Sequence, residues 1–397
     1  MKVLVLFSSS LGEIDWILPV LVALKRDYGA QIVANFHTPQ LYAKLGQNIP
    51  LAKILRETAQ IFLEPRRHVF TEHKPESFDV VLKDDVGDSF MPQRAPYLEA
   101  CHRAKQVVFP CSGFIYGLTG DTPNNLKAIE KKVATVMGFS PITWGKSDLC
   151  LCGSVNDFPA LSLRYAPKSI RAVGFPRYDM WWVQQLLKVG QKNLQREQNF
   201  LADRRSLLFV IRGPHPLFLT PKDYSYLMRS FCEVVQKIPG LAAVIKPHPR
   251  QSEEDLVDFL SAFPSDKFLI SHQPIMLLSS LVEAVVCMLT SGVLDVLRVG
   301  KPTVEFFIYP QEGRECLEFR AREKGGYESI YHQLGLVASI SRRSQLKTFI
   351  EDIINGTLSV KFLEQNLRAL GTVVHQDDLA SARAAAHIDA VVAGRPF

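Results

Sequence analysis

Short apolar runs alternate with polar or helix-periodic stretches along the whole chain. VLVLF (3–7) is followed by a Ser/Gly loop and then by the helical pattern of ILPVLVALKRDYG. QIVANFH (31–37), FDVVLK (78–83), QVVFP (106–110) and DLCLCG (148–153) continue in the same style. Apolar runs of this length, separated by helical material, predict a parallel sheet covered by helices. The texture changes at SIRAVGFPRYDMWW (169–182), which Gly174 and Pro176 punctuate, and at the polar helix QQLLKVGQKNLQREQNFLADRR behind it. The domain junction is expected near 165–205. The pattern then repeats. SLLFVIR (206–212), LAAVIKP (241–247), KFLISH (267–272), AVVCMLT (284–290) and PTVEFF (302–307) read as strands, with helices over 223–237, 253–263 and 292–300. A last Ala-rich helical segment covers about 362–394. The expected fold class is α/β, with two Rossmann-like domains facing a cleft. The expected division is 1–170, 171–375, and a C-terminal helix at 376–397 that can pack back on the first domain.

Composition narrows the picture. The chain has 397 residues, enough for two domains. The net charge of +6 is spread out, and no dense Lys/Arg run marks a nucleic-acid surface. Such a balance suits anionic ligands or peripheral contact with an anionic membrane. Seven scattered cysteines without a CxxC predict reduced, buried thiols and a cytoplasmic setting. MKVLVLFSSS has too short an apolar core for a signal peptide, and the most apolar window, 276–294, contains Glu283 and four hydroxyl residues.

In doubly wound sheets, ligands bind beyond the carboxyl ends of the strands. In AVIKPHPRQ (243–251), a strand ends in Lys246, His248 and Arg250, stiffened by Pro247 and Pro249. Three groups able to carry positive charge could grip a phosphate or carboxylate there, although an exposed turn would read the same. In MLTSGVLDVLRVGKP (288–302), Thr290, Ser291 and Gly292 start a helix, as an anion site or as a plain N-cap. Arg212 and His215 follow another strand in FVIRGPHPLF, where an Arg could clamp a phosphate or join a salt bridge. In SSSLGEIDW (8–16), Glu13 and Asp15 could supply a general base or could complement a helix dipole. Glu305, inside PTVEFF, needs a partner, which a ribose diol or a core arginine would supply. Weaker candidates are Asp84 and Asp85 in KDDVGDS, which could bind a sugar hydroxyl or a metal but read rather as a solvated turn, Ser112 and Gly113 in PCSGFIYG, and the strand-end His272. Trp181 and Trp182 read as interdomain packing. Zinc spacings, GxSxG and GxxxxGK[ST] are absent, and no cofactor or metal is expected.

VGFPRYD (173–179), IKPHPR (245–250) and TSGVLDVLRVGKPTVEF (290–306), in this order, resemble the pattern of bacterial GT-B enzymes of surface-carbohydrate synthesis. The capsule and teichoic-acid transferases are similar in texture, and the UDP-N-acetylglucosamine 2-epimerases share the architecture. The resemblance implies His248 as the His of an HP motif, Thr290 and Ser291 as phosphate-binding hydroxyls, and Glu305 as a ribose contact. It implies a metal-independent glycosyltransferase that moves a sugar from a nucleotide-sugar donor, held by 171–375, to a glycan or lipid-linked acceptor, held by 1–170. The alternatives are a UDP-N-acetylhexosamine 2-epimerase and a catalytically inactive GT-B scaffold.

Overall fold

The computed structural model describes residues 1–8, 11–64, 66–85, 91–109, 127–128, 131, 147–216, 218–248, 251–310, 319–321, 325–374 and 377–396. The chain forms two compact units, Met1–Gln185 with Val374–Phe397, and Leu186–Val373.

The first unit carries strands β1 (Lys2–Phe7), β2 (Gln31–Phe36), β3 (Gln60–Leu63), β4 (Val80–Asp84), β5 (Lys105–Phe109), β6 (Leu149–Cys152) and β7 (Ile170–Ala172). They form one parallel sheet in the order β3-β2-β1-β4-β5-β6-β7. Val3 to Phe7 of β1 and all of β4 are buried, as continuous runs must be when both faces of a parallel sheet are covered. The helix Leu11–Tyr28 buries Ile14, Ile17, Leu18, Leu21 and Leu24 at helical spacing. The helix Ala380–Val392 packs against it with a row of small side chains, Ala380, Ser381, Ala384 and Ala385.

That return is tied down by reciprocal capping. Asp179 accepts from Ala380 N at 3.1 Å, from Ser381 N at 2.8 Å and from the Ser381 hydroxyl, while Asp378 accepts from Met180 N at 2.9 Å. Each helix start is thus capped by the segment preceding the other. Trp181 donates to Ser381 Oγ at 3.1 Å and lies 5.2 Å from the Arg26 guanidinium, and Trp182 is fully buried. Both tryptophans belong to the first unit, and the Trp181 contacts lie within it.

The second unit carries β8 (Arg205–Val210), β9 (Leu241–Lys246), β10 (Phe268–Ile270), β11 (Ala284–Cys287), β12 (Thr303–Phe306), an antiparallel pair β13 (Phe319–Ala321) and β14 (Tyr327–Ser329), and β15 (Ala338–Ile340). Its main sheet is parallel, in the order β10-β9-β8-β11-β12-β15. The helix Pro221–Lys237 covers one face and stacks Phe231 on Phe209 at 4.0 Å.

In both sheets the third strand lies outside the second, the second beside the first, and the fourth on the first strand's other side. The order reverses between β1 and β4, and again between β8 and β11. Those reversals open the crevices where Rossmann-type sheets take ligands.

Several boundaries differ from the sequence reading. The first unit runs to Gln185 rather than 170, so VGFPRYD belongs to it. The expected long helix over 362–394 is two helices, Val360–Val373 and Ala380–Val392, one in each unit. The polar stretch 184–205 likewise breaks into the helices Met180–Gln191 and Gln195–Leu201. Strands β3, β7 and β15 are short and carry only three or four residues each, too few for periodicity to show.

Candidate functional site

Lys246 is the last residue of β9. Its Nζ donates to the His272 carbonyl at 3.1 Å and meets no carboxylate among the described residues. Burial pushes its ammonium down from the ordinary lysine range to about 8. A half-buried cation with no counter-charge among the described residues is a costly arrangement unless an anion completes it.

The neighbouring strand ends supply further donors. Arg212 follows β8 and donates to the Leu289 carbonyl, past the end of β11, at 3.0 Å. It therefore spans the point where the strand order reverses. Its guanidinium carbon lies 4.2 Å from the Phe218 ring centroid, and His215 stacks on Phe218 at 4.0 Å. His248 lies two residues beyond β9, half-buried, and its carbonyl accepts from Gln251 N at 2.9 Å. Arg250 lies outside the described residues.

At the helix Gly292–Arg298, Thr290 makes the side-chain cap: its Oγ1 accepts from Gly292 N at 3.1 Å. Ser291 occupies the N-cap position in helical conformation and makes no side-chain cap. The two hydroxyls read as a pair in sequence thus have different local duties. A Cβ on Gly292 would come within 2.7 Å of Ile275 Cδ1, so packing against that flexible tip also favours glycine there. Glu305 is fully buried in β12, opposite Cys287 of β11, whose thiol is pushed up to about 12 by burial, with the Glu305 charge adding to it. His272 pairs with Glu253 at 2.9 Å.

The carboxyl edge of the first sheet is different. Glu13 is 1% exposed. Its Oε2 accepts from Ser8 N at 3.1 Å, and Oε1 lies 3.6 Å from Arg94. Arg94, fully buried, also pairs with Asp84 and donates from Nε to Ser8 Oγ at 2.8 Å. Asp85 pairs with Arg164 at 3.1 Å. Asp84 and Asp85 are therefore interior ion-pair partners and not a solvated turn. Asp15 pairs with Arg177 at 2.8 Å, and burial raises its carboxyl against the lowering effect of that arginine. The expectation that Glu13 or Asp15 presents a carboxylate to an acceptor meets a physical obstacle: Asp15 is paired with Arg177, and Glu13 is buried with Oε2 on Ser8 N and Oε1 3.6 Å from Arg94. Ser112 and Gly113 lie outside the described residues.

Arg94, Arg164 and Arg177, which organise this edge, were not among the sequence candidates. Each lies in an unremarkable loop or turn and gains its role only from the folded neighbourhood. His37 was quoted only as the tail of a strand. It is buried, and burial with the nearby Arg94 charge lowers its imidazole to about 4.

Among the described residues, Cys101, Cys150, Cys152, Cys232 and Cys287 are buried free thiols, and burial raises each. No group of three His, Cys, Asp or Glu side chains suited to a metal ion occurs among the described residues. No described helix is long and apolar enough to cross a membrane.

No protein-family model matches the chain, and no curated protein matches it in sequence. Solved structures do match, over nearly the whole length. The structure of Staphylococcus aureus MnaA with UDP aligns with a TM-score of 0.60 at 11% identity, covering 99% of this chain and 97% of that one. The UDP-GlcNAc 2-epimerase from Neisseria meningitidis, bound to UDP-GlcNAc, aligns with a TM-score of 0.59 at 14% identity, covering 98% and 99%. The calicheamicin glycosyltransferase CalG4 aligns with a TM-score of 0.50 at 14% identity, covering 99% and 98%. At such identities the likeness is one of fold. The chain has the α/β fold of the GT-B type, built from two Rossmann-like domains.

Proposed function

We propose that the chain is an enzyme acting on a UDP-activated sugar, and that its reaction is a UDP-N-acetylhexosamine 2-epimerisation. Lys246 carries the reading. It is a half-buried cation that meets no carboxylate among the described residues, at the carboxyl edge of a Rossmann-type sheet, two strands from the hydroxyls of Thr290 and Ser291. A diphosphate would complete its charge. Glu305, fully buried in β12, has no exposed surface to offer a ribose, whereas Arg212 past the end of β8 and His248 past the end of β9 would add donors. These groups would stabilise the diphosphate as the bond to the sugar breaks, each aligned donor contributing roughly 3–4 kcal/mol at the transition state. An epimerase eliminates and re-adds the nucleoside diphosphate and needs no second substrate. That agrees with the loss of Glu13 and Asp15 to arginine pairs. The full-length likeness to a UDP-GlcNAc 2-epimerase supports the same choice.

A glycosyltransferase remains the second reading, supported by the fold shared with CalG4. It would need a glycan or lipid-linked acceptor. Incubation with UDP-N-acetylglucosamine alone separates the two. Conversion to the manno epimer, followed by proton NMR, is the expected result. Unchanged substrate that is consumed only after acceptor is added would overturn epimerisation in favour of transfer. Absence of UDP binding in a thermal-shift titration would overturn both, because a ligand of the native state must raise its apparent stability.

A further inference from the structure

The segment 213–221, which follows β8 and Arg212, reads GPHPLFLTP, with a proline at 214, 216 and 221. Prolines restrict a loop before it folds, so little chain entropy is left to lose in ordering it. The loop closes on itself. His215 N donates to Leu219 O at 2.8 Å, Leu219 N returns a bond to His215 O at 3.0 Å, and Phe218 N donates to the same carbonyl at 3.3 Å. Leu219 is fully buried, and Thr220 caps the helix Pro221–Lys237 by accepting from Asp223 N at 3.1 Å. The turn is thus anchored by the helix behind it, and Phe218 has a set, buried place in it.

Two side chains lie against the Phe218 ring. The His215 imidazole is parallel to it within 9° at 4.0 Å, and the Arg212 guanidinium carbon is 4.2 Å from its centroid. Arg212 Nη1 also donates to Leu289 O at 3.0 Å. A guanidinium on one hydrogen bond can pivot about it, and a second contact at its carbon restricts that pivot. An aromatic face does so without taking any N–H donor, because those donors lie in the guanidinium plane. Arginine has many rotamers, and each one surrendered on meeting an anion weakens the contact, so a guanidinium oriented beforehand binds more tightly.

The loop after β9 is tied to the same turn. Gln251 N donates to His248 O at 2.9 Å, and its Nε2 donates to the hydroxyl of Tyr224, on the helix that the turn leads into. A Cβ on Gly213 would meet the Gln251 side chain at 3.7 Å. The segments that carry Arg212 and His248 therefore pack against each other.

We propose that Phe218 is a positioning residue for the nucleotide sugar: its ring, set by the closed turn and stacked with His215, holds the Arg212 guanidinium in the orientation that the diphosphate takes up. Phe218 acts through Arg212 and not by touching the ligand. This role rests on the nucleotide reading of the second sheet's carboxyl edge and adds to it a residue that carries no polar group.

The test measures UDP binding to the full chain by calorimetry, in Phe218→Leu, Phe218→Tyr, Arg212→Met and the double variant Arg212→Met with Phe218→Leu. Leucine keeps an apolar side chain in the turn and removes the ring face. Phe218→Leu should weaken UDP binding about tenfold, because a small misplacement of a binding group can cost that much or more. Phe218→Tyr keeps the face and should stay within about threefold of the parent. In the Arg212→Met background, Phe218→Leu should change UDP affinity by less than about twofold, since no guanidinium is left to orient. A leucine variant that binds as tightly as the parent would overturn the proposal, and so would a tyrosine variant as weak as the leucine one. Equal losses in both backgrounds would overturn it as well, because a purely structural residue acts without regard to Arg212. A parent chain that binds no UDP would overturn the nucleotide reading beneath it, an outcome distinct from the other three.

Discussion

The two sheets share one strand order and opposite electrostatics at their carboxyl edges. In the first, carboxylates and guanidinium groups are matched inside the unit: Arg94 with Glu13 and Asp84, Arg164 with Asp85, Arg177 with Asp15. In the second, half-buried Lys246 donates to a carbonyl and meets no carboxylate among the described residues. A strand order can thus place a site without deciding its chemistry. The chemistry depends on whether the edge neutralises itself or leaves charge for a ligand. Four substitutions or titrations would break or sharpen this contrast.

The largest effect is expected at Arg94. Arg94→Ala leaves two buried carboxylates without their cation, and removing one partner of a buried pair costs about 3–5 kcal/mol. Chemical denaturation should show that loss. A loss under about 1 kcal/mol would mean that the edge is not internally compensated.

Acid titration comes next. The His37 imidazole falls to about 4 in the folded chain, against 6.5 in the unfolded one. The folded state favours the neutral ring, so this contribution is complete above the unfolded value and is lost as pH falls through about 4. It amounts to about 3 kcal/mol. Stability measured from pH 7 to 4 should decline less steeply in His37→Gln than in the parent.

Lys246 should behave in the opposite way to Arg94. Its ammonium is depressed to about 8 from 10.5, so the folded state favours the neutral amine. That advantage is present above 10.5 and is lost as pH falls through about 8, leaving a buried charge at neutral pH. Lys246→Met should therefore leave the unliganded protein as stable or more stable at pH 7, while weakening UDP binding by about 2–5 kcal/mol. Bound diphosphate should restore the ammonium, so binding near pH 9 should take up a proton. Calorimetry in buffers of different ionisation enthalpy would detect it. A destabilised Lys246→Met with intact UDP binding would reverse the assignment of the two edges.

The smallest effect is local. Asp179 caps the returning helix through Ala380 and Ser381. Asp179→Ala should cost about 1–2 kcal/mol, the usual range for a lost cap, and should raise hydrogen exchange at the start of that helix.

Much of the architecture was legible in the residues. VLVLF, LLFV, AAVIK and AVVC are buried on both sides because parallel strands under helices must be apolar throughout, and such runs stand out against the helical period. The positions of Lys246 at the end of one strand and Arg212 just beyond another followed from the same pattern. Three-residue strands such as β7 and β15 were not legible, because their pairing comes from neighbours and not from their own periodicity.

The sequence by itself determined where polar groups leave the sheets, since hydrophobic alternation is a local property of consecutive residues. Only the tertiary structure decided which of those groups are used up. Glu13 and Lys246 look equally available on paper, yet Arg94 reaches Glu13 from a segment about eighty residues away and no acid among the described residues reaches Lys246. Charge compensation acts through space at a few ångströms, and distance along the chain carries no record of it.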